Sequence, residues 1–347
     1  MTTFDIAERR DVLPKRKDRY LSFPGMVQLP GGEIVLAYRD GRAMPGTRSH
    51  GTEGDLVLMR FSGGRWSEPE VLYCHEGDVE EMGCGDLTRL RDGTILLWSR
   101  QWDDAQRRTH EVSLARSTDG GRTFEPRRPV RLAIFPNGWA PYGKVIELPG
   151  GALVQGAYGV RRAGERSSAA CLVSDDGGES WSLRAWIAQG AGGRGLNYYE
   201  PFIYALPDGT LYALLRTNGT FHATRSPDEG CAWSPPEPAF RGMACAGLVL
   251  SSGALLVAYR GIHEAHPDRN TENVTKREGR LYCFRVSDDG GATWGPEGVI
   301  DDGTAWQIGS YGMGDAVELA DGCVRVVYYT SDADQAPWLA ECTLVPR

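Results

Sequence analysis

Short apolar segments alternate with glycine-centred turns along most of the chain. Two apolar runs joined by a short glycine turn are typical of a β-hairpin. Six copies of this pattern occupy residues 26–38, 87–99, 145–158, 202–216, 248–260 and 316–329. Their turn glycines are Gly32, Gly93, Gly151, Gly209, Gly253 and Gly322, with a mean spacing of about 58 residues. Long apolar stretches with helical periodicity are missing, so the pattern predicts six similar β units and little helix.

A second motif, Ser-x-Asp followed by a tight turn and an aromatic residue, recurs at residues 117–124, 174–181, 226–233 and 287–294. Its copies start 57, 52 and 61 residues apart, a period that suits a four-stranded propeller blade. We expect its Asp to bond the turn's own amides, its glycines to take positive φ, and its aromatic ring to fill the gap to the next sheet. The motif therefore predicts the fold and carries no chemistry.

These repeats predict an all-β fold, a six-bladed β-propeller of four-stranded antiparallel blades. We expect one propeller domain over residues 1–347. Propellers usually close by pairing strands from both ends of the chain in one blade, which removes a free sheet edge. The segment before Tyr20 is expected to supply that closing strand.

Composition narrows the range of functions. A net charge of -8 argues against a nucleic-acid surface, and no segment approaches the roughly 20 apolar residues that span a bilayer. The eight cysteines lack zinc-type spacing, and no phosphate loop or nicotinamide fingerprint occurs, so we expect no metal and no cofactor. No signal peptide is visible, and a cytoplasmic location is expected unless a leader was removed. Oligomeric state is left open.

The Ser-x-Asp motifs are identified as Asp-box, or BNR, repeats, and six such blades resemble the sialidase (neuraminidase) superfamily over nearly the whole chain. The resemblance implies a carbohydrate substrate whose carboxylate is held by three arginines, which offer forked donors to a planar acid. It also implies a Tyr nucleophile paired with a Glu base, and an Asp acid. Non-catalytic propellers carry Asp boxes too, so function must be argued from the site.

Three segments match the family's catalytic pattern. The segment from Tyr199 to Arg216 resembles the one that holds the base and the second arginine, which makes Glu200 the candidate base and Arg216 a carboxylate clamp. Arg277 and Arg280, ahead of the fourth Asp box, are alternative candidates for the third arginine. Tyr311 resembles the nucleophile, although it stands about two residues from the usual position.

The first blade departs from the family. Where the resemblance implies the first arginine of the triad, this chain has Ser22. Possible replacements lie further along the blade: Arg39 and Arg42 as substrate contacts, Asp40 as first choice for the acid, and His50 as a competing acid or base. Asp55 is a third candidate for the acid.

The remaining candidates contact the sugar. Asp86 resembles a family Asp that contacts the acyl-amino group, while Tyr142 and Tyr198 supply rings that stack on sugar faces or fill space between blades. We therefore expect an exo-acting glycosidase for a terminal acidic sugar. Two alternatives stay open: a lyase or glycosidase for uronic or neutral sugars using His50 and a Tyr, and a non-catalytic carbohydrate-binding propeller.

Overall fold

The computed structural model describes residues 2–43, 50–83, 86–190, 195–262, 280–302, 312–331 and 336–347. Within these residues the chain forms strands and turns, and no helix is present. No described segment is a helix that could cross a membrane. In chain order the strands of the first half are β1 (Phe4–Asp11), β2 (Arg19–Gln28), β3 (Ile34–Arg42), β4 (Thr52–Ser62), β5 (Arg65–Trp66), β6 (Glu70–Tyr73), β7 (Val79–Glu81), β8 (Leu87–Arg89), β9 (Ile95–Asp103), β10 (Arg108–Ser117), β11 (Arg128–Pro129), β12 (Trp139–Glu147) and β13 (Leu153–Gly159). Those of the second half are β14 (Ser168–Ser174), β15 (Ser182–Ala188), β16 (Tyr199–Ala205), β17 (Leu211–Arg216), β18 (Thr220–Ser226), β19 (Glu237–Arg241), β20 (Met243–Val249), β21 (Leu255–Ile262), β22 (Arg280–Ser287), β23 (Gly298–Asp301), β24 (Gly314–Glu318), β25 (Val324–Thr330) and β26 (Trp338–Pro346).

The strands form six blades of four antiparallel strands, which confirms the predicted β-propeller. The chain divides into two compact units, Met1–Gly85 with Ala244–Arg347, and Asp86–Met243. The first unit holds the sheets β2-β3-β4-β5, with β6 paired to β4, and β20-β21-β22-β23 and β1-β26-β25-β24. The second holds β12-β13-β14-β15, β16-β17-β18-β19 and the blade in which β9 pairs with β8 and β10. That all of residues 1–347 form one domain stays a prediction.

Each unit has its own apolar core. In the first, Leu36, Tyr38 and Val57 of one blade belong to the same buried cluster as Val326 and Tyr328 of another. In the second, the buried cluster includes Val154, Ile203, Leu211 and Leu215. Burial of such side chains supplies the main stabilising free energy of the sheets.

All six glycine hairpins use one hydrogen-bond pattern. In the first, Leu29 N donates to Glu33 O, and Gly32 N donates to Leu29 O at 3.0 Å. The same two bonds recur at Leu90, Leu148, Leu206, Leu250 and Leu319. Gly32 has a φ of 90°, and the five equivalent glycines lie between 80° and 93°, a left-handed region that glycine adopts without steric cost. The sequence spacing of these glycines therefore marks a real structural repeat.

The Asp boxes are self-contained turns, as predicted. In the second copy, the Asp176 carboxylate accepts hydrogen bonds from Ser174 Oγ at 2.7 Å and from the amide of Ser180 at 2.9 Å. The Ser174 hydroxyl in turn accepts the amide of Gly178 at 2.8 Å. Trp181, at the end of the motif, is buried. The Ser and Asp of the motif thus bond within the turn itself.

The N-terminal strand closes one blade. β1 pairs antiparallel with β26, with Phe4 opposite Pro346 and Asp11 opposite Ala340. The expectation that the segment before Tyr20 supplies an outer strand is confirmed. This pairing covers the edge of β26, which would otherwise be free to associate with other chains.

Candidate functional site

In or just before the first strand of several blades, one residue has a left-handed backbone, eight to ten positions before the turn glycine. These residues are Phe23 (φ 54°), Gly143 (φ 79°), Glu200 (φ 49°), Ala244 (φ 51°) and Gly312 (φ 68°). A break in strand register lies beside three of them, between Ser22 and Gly25, Tyr142 and Ile146, and Tyr199 and Phe202. Bulges of this kind re-aim side chains and are frequent near active sites. The sequence did not reveal them, because glycine occupies only part of the set.

Glu200 occupies this strained position and pairs with Arg216. Arg216 Nη1 donates to Glu200 Oε1 at 2.6 Å, and the two side chains are 20% and 9% exposed. Glu200 Oε2 and Arg216 Nε are buried and have no hydrogen-bond partner among the described residues. A left-handed backbone costs a non-glycine residue about 1–3 kcal/mol and tends to persist at functional sites. The pair therefore combines backbone strain with unused polar atoms, which is typical of a ligand site.

The Arg216 guanidinium stays charged in this environment. Burial opposes its charge, but the attraction of the Glu200 carboxylate, aided by the phenols of Tyr158 and Tyr142, raises the pKa of Arg216 above its ordinary value. Arg216 also lies over the ring of Tyr199, 5.8 Å from its centroid. Tyr158 meets Tyr199 edge to face at 5.9 Å. A permanently charged fork beside phenol rings suits an anionic, hydroxylated ligand.

Tyr158 and Tyr199 were not identified as candidate site residues from the sequence. The repeat pattern nevertheless contains a signal that could have identified Tyr158. The residue seven positions after the turn glycine is Arg39, Arg100, Tyr158, Arg216, Arg260 and Tyr329 in the six hairpins. Arginine or tyrosine at every copy of one structural position is unexpected for a solvated strand end.

The two predicted sugar contacts have different surroundings. Tyr142 lies near Arg216 and packs edge to face on Phe202. Tyr198 instead has its ring against His222, with centroids 6.3 Å apart.

In the first unit, Asp40 is held by an arginine. Arg19 Nε donates to Asp40 Oδ1 at 2.6 Å, and both side chains are partly buried. Burial is the main cause that raises the pKa of Asp40, and the Arg19 charge opposes the rise. Asp55 lies opposite Asp40 on β4, and its Oδ1 accepts the amide of His75 at 2.9 Å and lies 2.8 Å from His75 Nδ1. Both candidate acids thus have protein partners.

Arg39 lies beneath the surface, 1% exposed. Its Nη2 pairs with Glu80 Oε2 at 2.7 Å, its Nε donates to Glu81 O at 2.6 Å, and its Nη1 donates to His50 O at 2.5 Å. Arg42 is exposed and pairs with Glu53 at 3.2 Å. Arg39 therefore binds protein groups with three of its donors, which favours a structural role over direct substrate contact.

His50 and Ser22 lie on the same blade as Arg39. The His50 ring packs against Phe23 at 4.9 Å and Tyr20 at 6.1 Å. Ser22 is opposite Arg39 in the β2–β3 pairing, and its buried Oγ has no hydrogen-bond partner among the described residues. A buried serine thus occupies the place where the resemblance implies a clamp arginine.

Several predicted residues give less information. Of Asp86, the structure shows a backbone carbonyl that accepts the amide of Trp98 at 3.2 Å. Tyr311 and Arg277 lie outside the described residues, and Arg280 is described only as the first residue of β22. The structure therefore brings Glu200, Arg216 and Tyr142 together in one unit, and Arg39 and His50 together in the other. The roles proposed for all of them stay predictions.

The fold is a β-propeller whose blades carry Asp-box turns, and one hairpin holds a partly buried glutamate–arginine pair. The chain belongs to the BNR repeat-like domain family, whose model matches residues 43–308. It is a distant homologue of a sialidase from Micromonospora viridifaciens, 30% identical over 194 residues, a match that spans 49% of this chain and 29% of that protein.

Solved structures share the fold. A protein of unknown function from Dyadobacter fermentans matches with a TM-score of 0.81 and 23% identity, covering 99% of each chain. The NanB sialidase from Streptococcus pneumoniae matches with a TM-score of 0.68 and 13% identity, covering 96% of this chain and 69% of that one. At these identities the likeness establishes the fold alone.

Proposed function

We propose that this protein is a glycoside hydrolase of the sialidase type, which removes a terminal acidic sugar in an exo mode with retention. The observation that carries the proposal is the Glu200–Arg216 pair, in which a strained backbone holds a buried carboxylate 2.6 Å from a partly exposed guanidinium. The distant homology supports the proposal, since that relative is named a sialidase.

In this proposal Arg216 binds the carboxylate of the sugar. A guanidinium offers a rigid fork of donors that matches the planar acid, and its raised pKa keeps it charged at any physiological pH. The ion pair with Glu200 uses one Nη atom, so donors remain for the substrate. Beside Arg216 are the phenol rings of Tyr142, Tyr158 and Tyr199, which would pack on the sugar.

Glu200 acts as the base that activates Tyr311. A phenol is a suitable nucleophile because it approaches an anomeric carbon that bears a carboxylate without charge repulsion, and a neighbouring carboxylate takes its proton. Attack by Tyr311 forms a glycosyl–enzyme bond, and water then cleaves it with net retention. The leaving oxygen needs a proton, for which Asp40, His50 and Asp55 are the candidates.

One observation favours the second candidate function, a glycosidase or lyase for a uronic or neutral sugar. Ser22 stands where a clamp arginine is expected, and Arg39, across from it, is buried with three donors bound by protein groups. Loss of one charge-assisted bond to a carboxylate costs about 1.5–3 kcal/mol. A substrate that needs fewer cationic contacts would suit such a site.

The functions are separated by one set of assays. Wild-type protein is incubated with a fluorogenic sialoside and with a panel of uronate-terminated oligosaccharides, alongside Glu200→Gln and the exposed control Glu237→Gln. Turnover of the sialoside that is lost in Glu200→Gln and kept in Glu237→Gln supports the proposal. Turnover of uronates alone supports the second candidate, and sugar binding without turnover of any substrate would overturn both.

A further inference from the structure

A buried ion pair in the first blade has no role in the mechanism above. The guanidinium of Arg39 and the carboxylate of Glu80 meet at 2.7 Å, with side chains 1% and 2% exposed. Removing both charges from water costs several kcal/mol, which is recovered only where additional hydrogen bonds complete the pair. The role of such a pair is therefore sought in the neighbouring groups that its hydrogen bonds position.

The pair forms hydrogen bonds with three backbone groups. Arg39 donates to the carbonyl of Glu81 and to the carbonyl of His50, and Glu80 Oε2 accepts the amide of Gly54 at 3.0 Å. These bonds join β3, the start of β4 and β7 at the segment that contains His50. His50 lies in the loop just before β4, and the bond to its carbonyl fixes the position of its main chain.

Two glycines make room for the guanidinium. A Cβ at Gly41 would lie 2.2 Å from Arg39 Nη1, and a Cβ at Gly54 would lie 2.3 Å from Arg39 Nε. Both distances are far shorter than any non-bonded contact, and Arg39 is fixed by its three bonds. The space that holds the Arg39 guanidinium, called the slot below, therefore requires glycine at both positions. This requirement makes the slot a specific feature of the fold.

The His50 ring is held as well as its backbone. It packs 4.9 Å from Phe23, whose φ is 54°, and 6.1 Å from Tyr20. A solvated loop histidine needs neither the ion pair nor the aromatic contacts. Contacts that hold a side chain in place suit a group that transfers protons, because such a group must stay within about 0.5 Å of the productive geometry.

Asp40, the other candidate acid, is placed differently. Successive residues of a strand point to opposite faces, so Asp40 leaves β3 on the face opposite Arg39. There Arg19 Nε donates to its carboxylate at 2.6 Å. Burial raises the pKa of Asp40 and the bond from Arg19 opposes that rise, so this carboxyl is engaged by a protein group on a different face from Arg39.

We infer that His50 donates the proton to the leaving group, and that Arg39 and Glu80 are positioning residues that fix His50. The inference rests on the glycosidase function proposed above and names its proton donor. The imidazolium N–H gives its proton to the glycosidic oxygen as the bond from that oxygen to the anomeric carbon breaks. The neutral ring then accepts a proton from the water that releases the sugar. An imidazole titrates near neutral pH in its ordinary state, which suits both steps.

The test uses two substrates with the same acidic sugar and different leaving groups. An aryl sialoside releases a stable phenolate and needs little protonation, whereas sialyllactose releases a sugar alkoxide that needs a proton. In His50→Gln we expect kcat/KM on sialyllactose to fall by about 10²–10⁴-fold, with less than about tenfold loss on the aryl sialoside. Arg39→Lys and Glu80→Gln are expected to show the same selectivity at smaller amplitude.

A second variant and a control keep the result interpretable. Gly54→Ala disturbs the slot without changing His50, and is expected to reproduce the selective loss while thermal unfolding shows folded protein. Asp40→Asn is expected to lose activity equally on both substrates or to lose none. Selective loss in Asp40→Asn, or equal losses on both substrates in His50→Gln, would overturn the inference while the glycosidase function stands. If the wild type cleaves neither substrate, the proposed function itself fails.

Discussion

Arg216 Nη1 lies 2.6 Å from Glu200 Oε1, although 16 residues and a complete hairpin separate them in sequence. Register explains the meeting, because Arg216 pairs with Tyr199 across β16 and β17, directly beside Glu200. The bulge at Glu200 turns its carboxylate toward this strand end. The pair is therefore fixed by local strand geometry, and its chemistry is open to direct test.

Glu200→Gln should lower kcat by about 10²–10⁴-fold, because an amide cannot take the proton of the nucleophile. The amide still fits the buried position and still accepts a bond from Arg216, so stability should change little. Steady-state kinetics with a fluorogenic sialoside and a thermal melt check both statements. A Gln variant that is folded and fully active would show that Glu200 is not the base.

Arg216→Lys should weaken binding of the acidic sugar. Lysine offers a point charge without the planar fork, and the loss of one charge-assisted bond, about 1.5–3 kcal/mol, corresponds to about ten- to a hundredfold in kcat/KM. The exposed residue Arg122 provides the matched control, Arg122→Lys, which should behave as wild type. Unchanged kcat/KM in Arg216→Lys would remove this residue from the substrate site.

Gly143→Ala should destabilise the protein by about 1–3 kcal/mol, through strain at positive φ and crowding. Gly143 has a φ of 79°, and a Cβ there would lie 3.1 Å from the ring of Phe202. Gly150→Ala is the control, since that position has no neighbour within 4 Å and no positive φ. Denaturant unfolding of both variants measures the difference, and equal stabilities would contradict the bulge geometry.

Acid should unfold the protein partly through its Asp boxes. Hydrogen bonds from Ser180 and Ser174 lower the pKa of Asp176 to about 2, below its ordinary value near 3.9. A lowered folded-state pKa contributes stability above the unfolded pKa, and this contribution is lost as pH falls from about 4 to about 2. Asp176→Asn should flatten that part of the curve of unfolding free energy against pH. The exposed neighbour Asp175, replaced by Asn, should leave the curve as in the wild type.

Much of the fold follows from local sequence. The turn glycines and the Ser and Asp of the Asp boxes bond within a few residues, and the spacing of the six turn glycines predicts six blades. Glu200 and Arg216 were predictable for a similar reason, since one hairpin of fixed length brings them together.

Other parts of the site depend on distant partners. The sequence offered Arg39 as a substrate contact, and its burial follows from Glu80, 41 residues away, and from room left by Gly54. The left-handed backbone at Phe23 and Glu200 accompanies strand bulges, and no glycine at these positions signals it in the sequence. Tertiary packing, and not local pattern, decided these features.

The most direct test of the glycosidase assignment is proton NMR of wild-type protein with sialyllactose, following the anomer that is released first. Retention through Glu200 and a Tyr nucleophile predicts that α-sialic acid appears before the slower equilibration to the β anomer, and that Glu200→Gln releases neither. First release of the β anomer, or no release of sialic acid by folded wild-type protein, would contradict it.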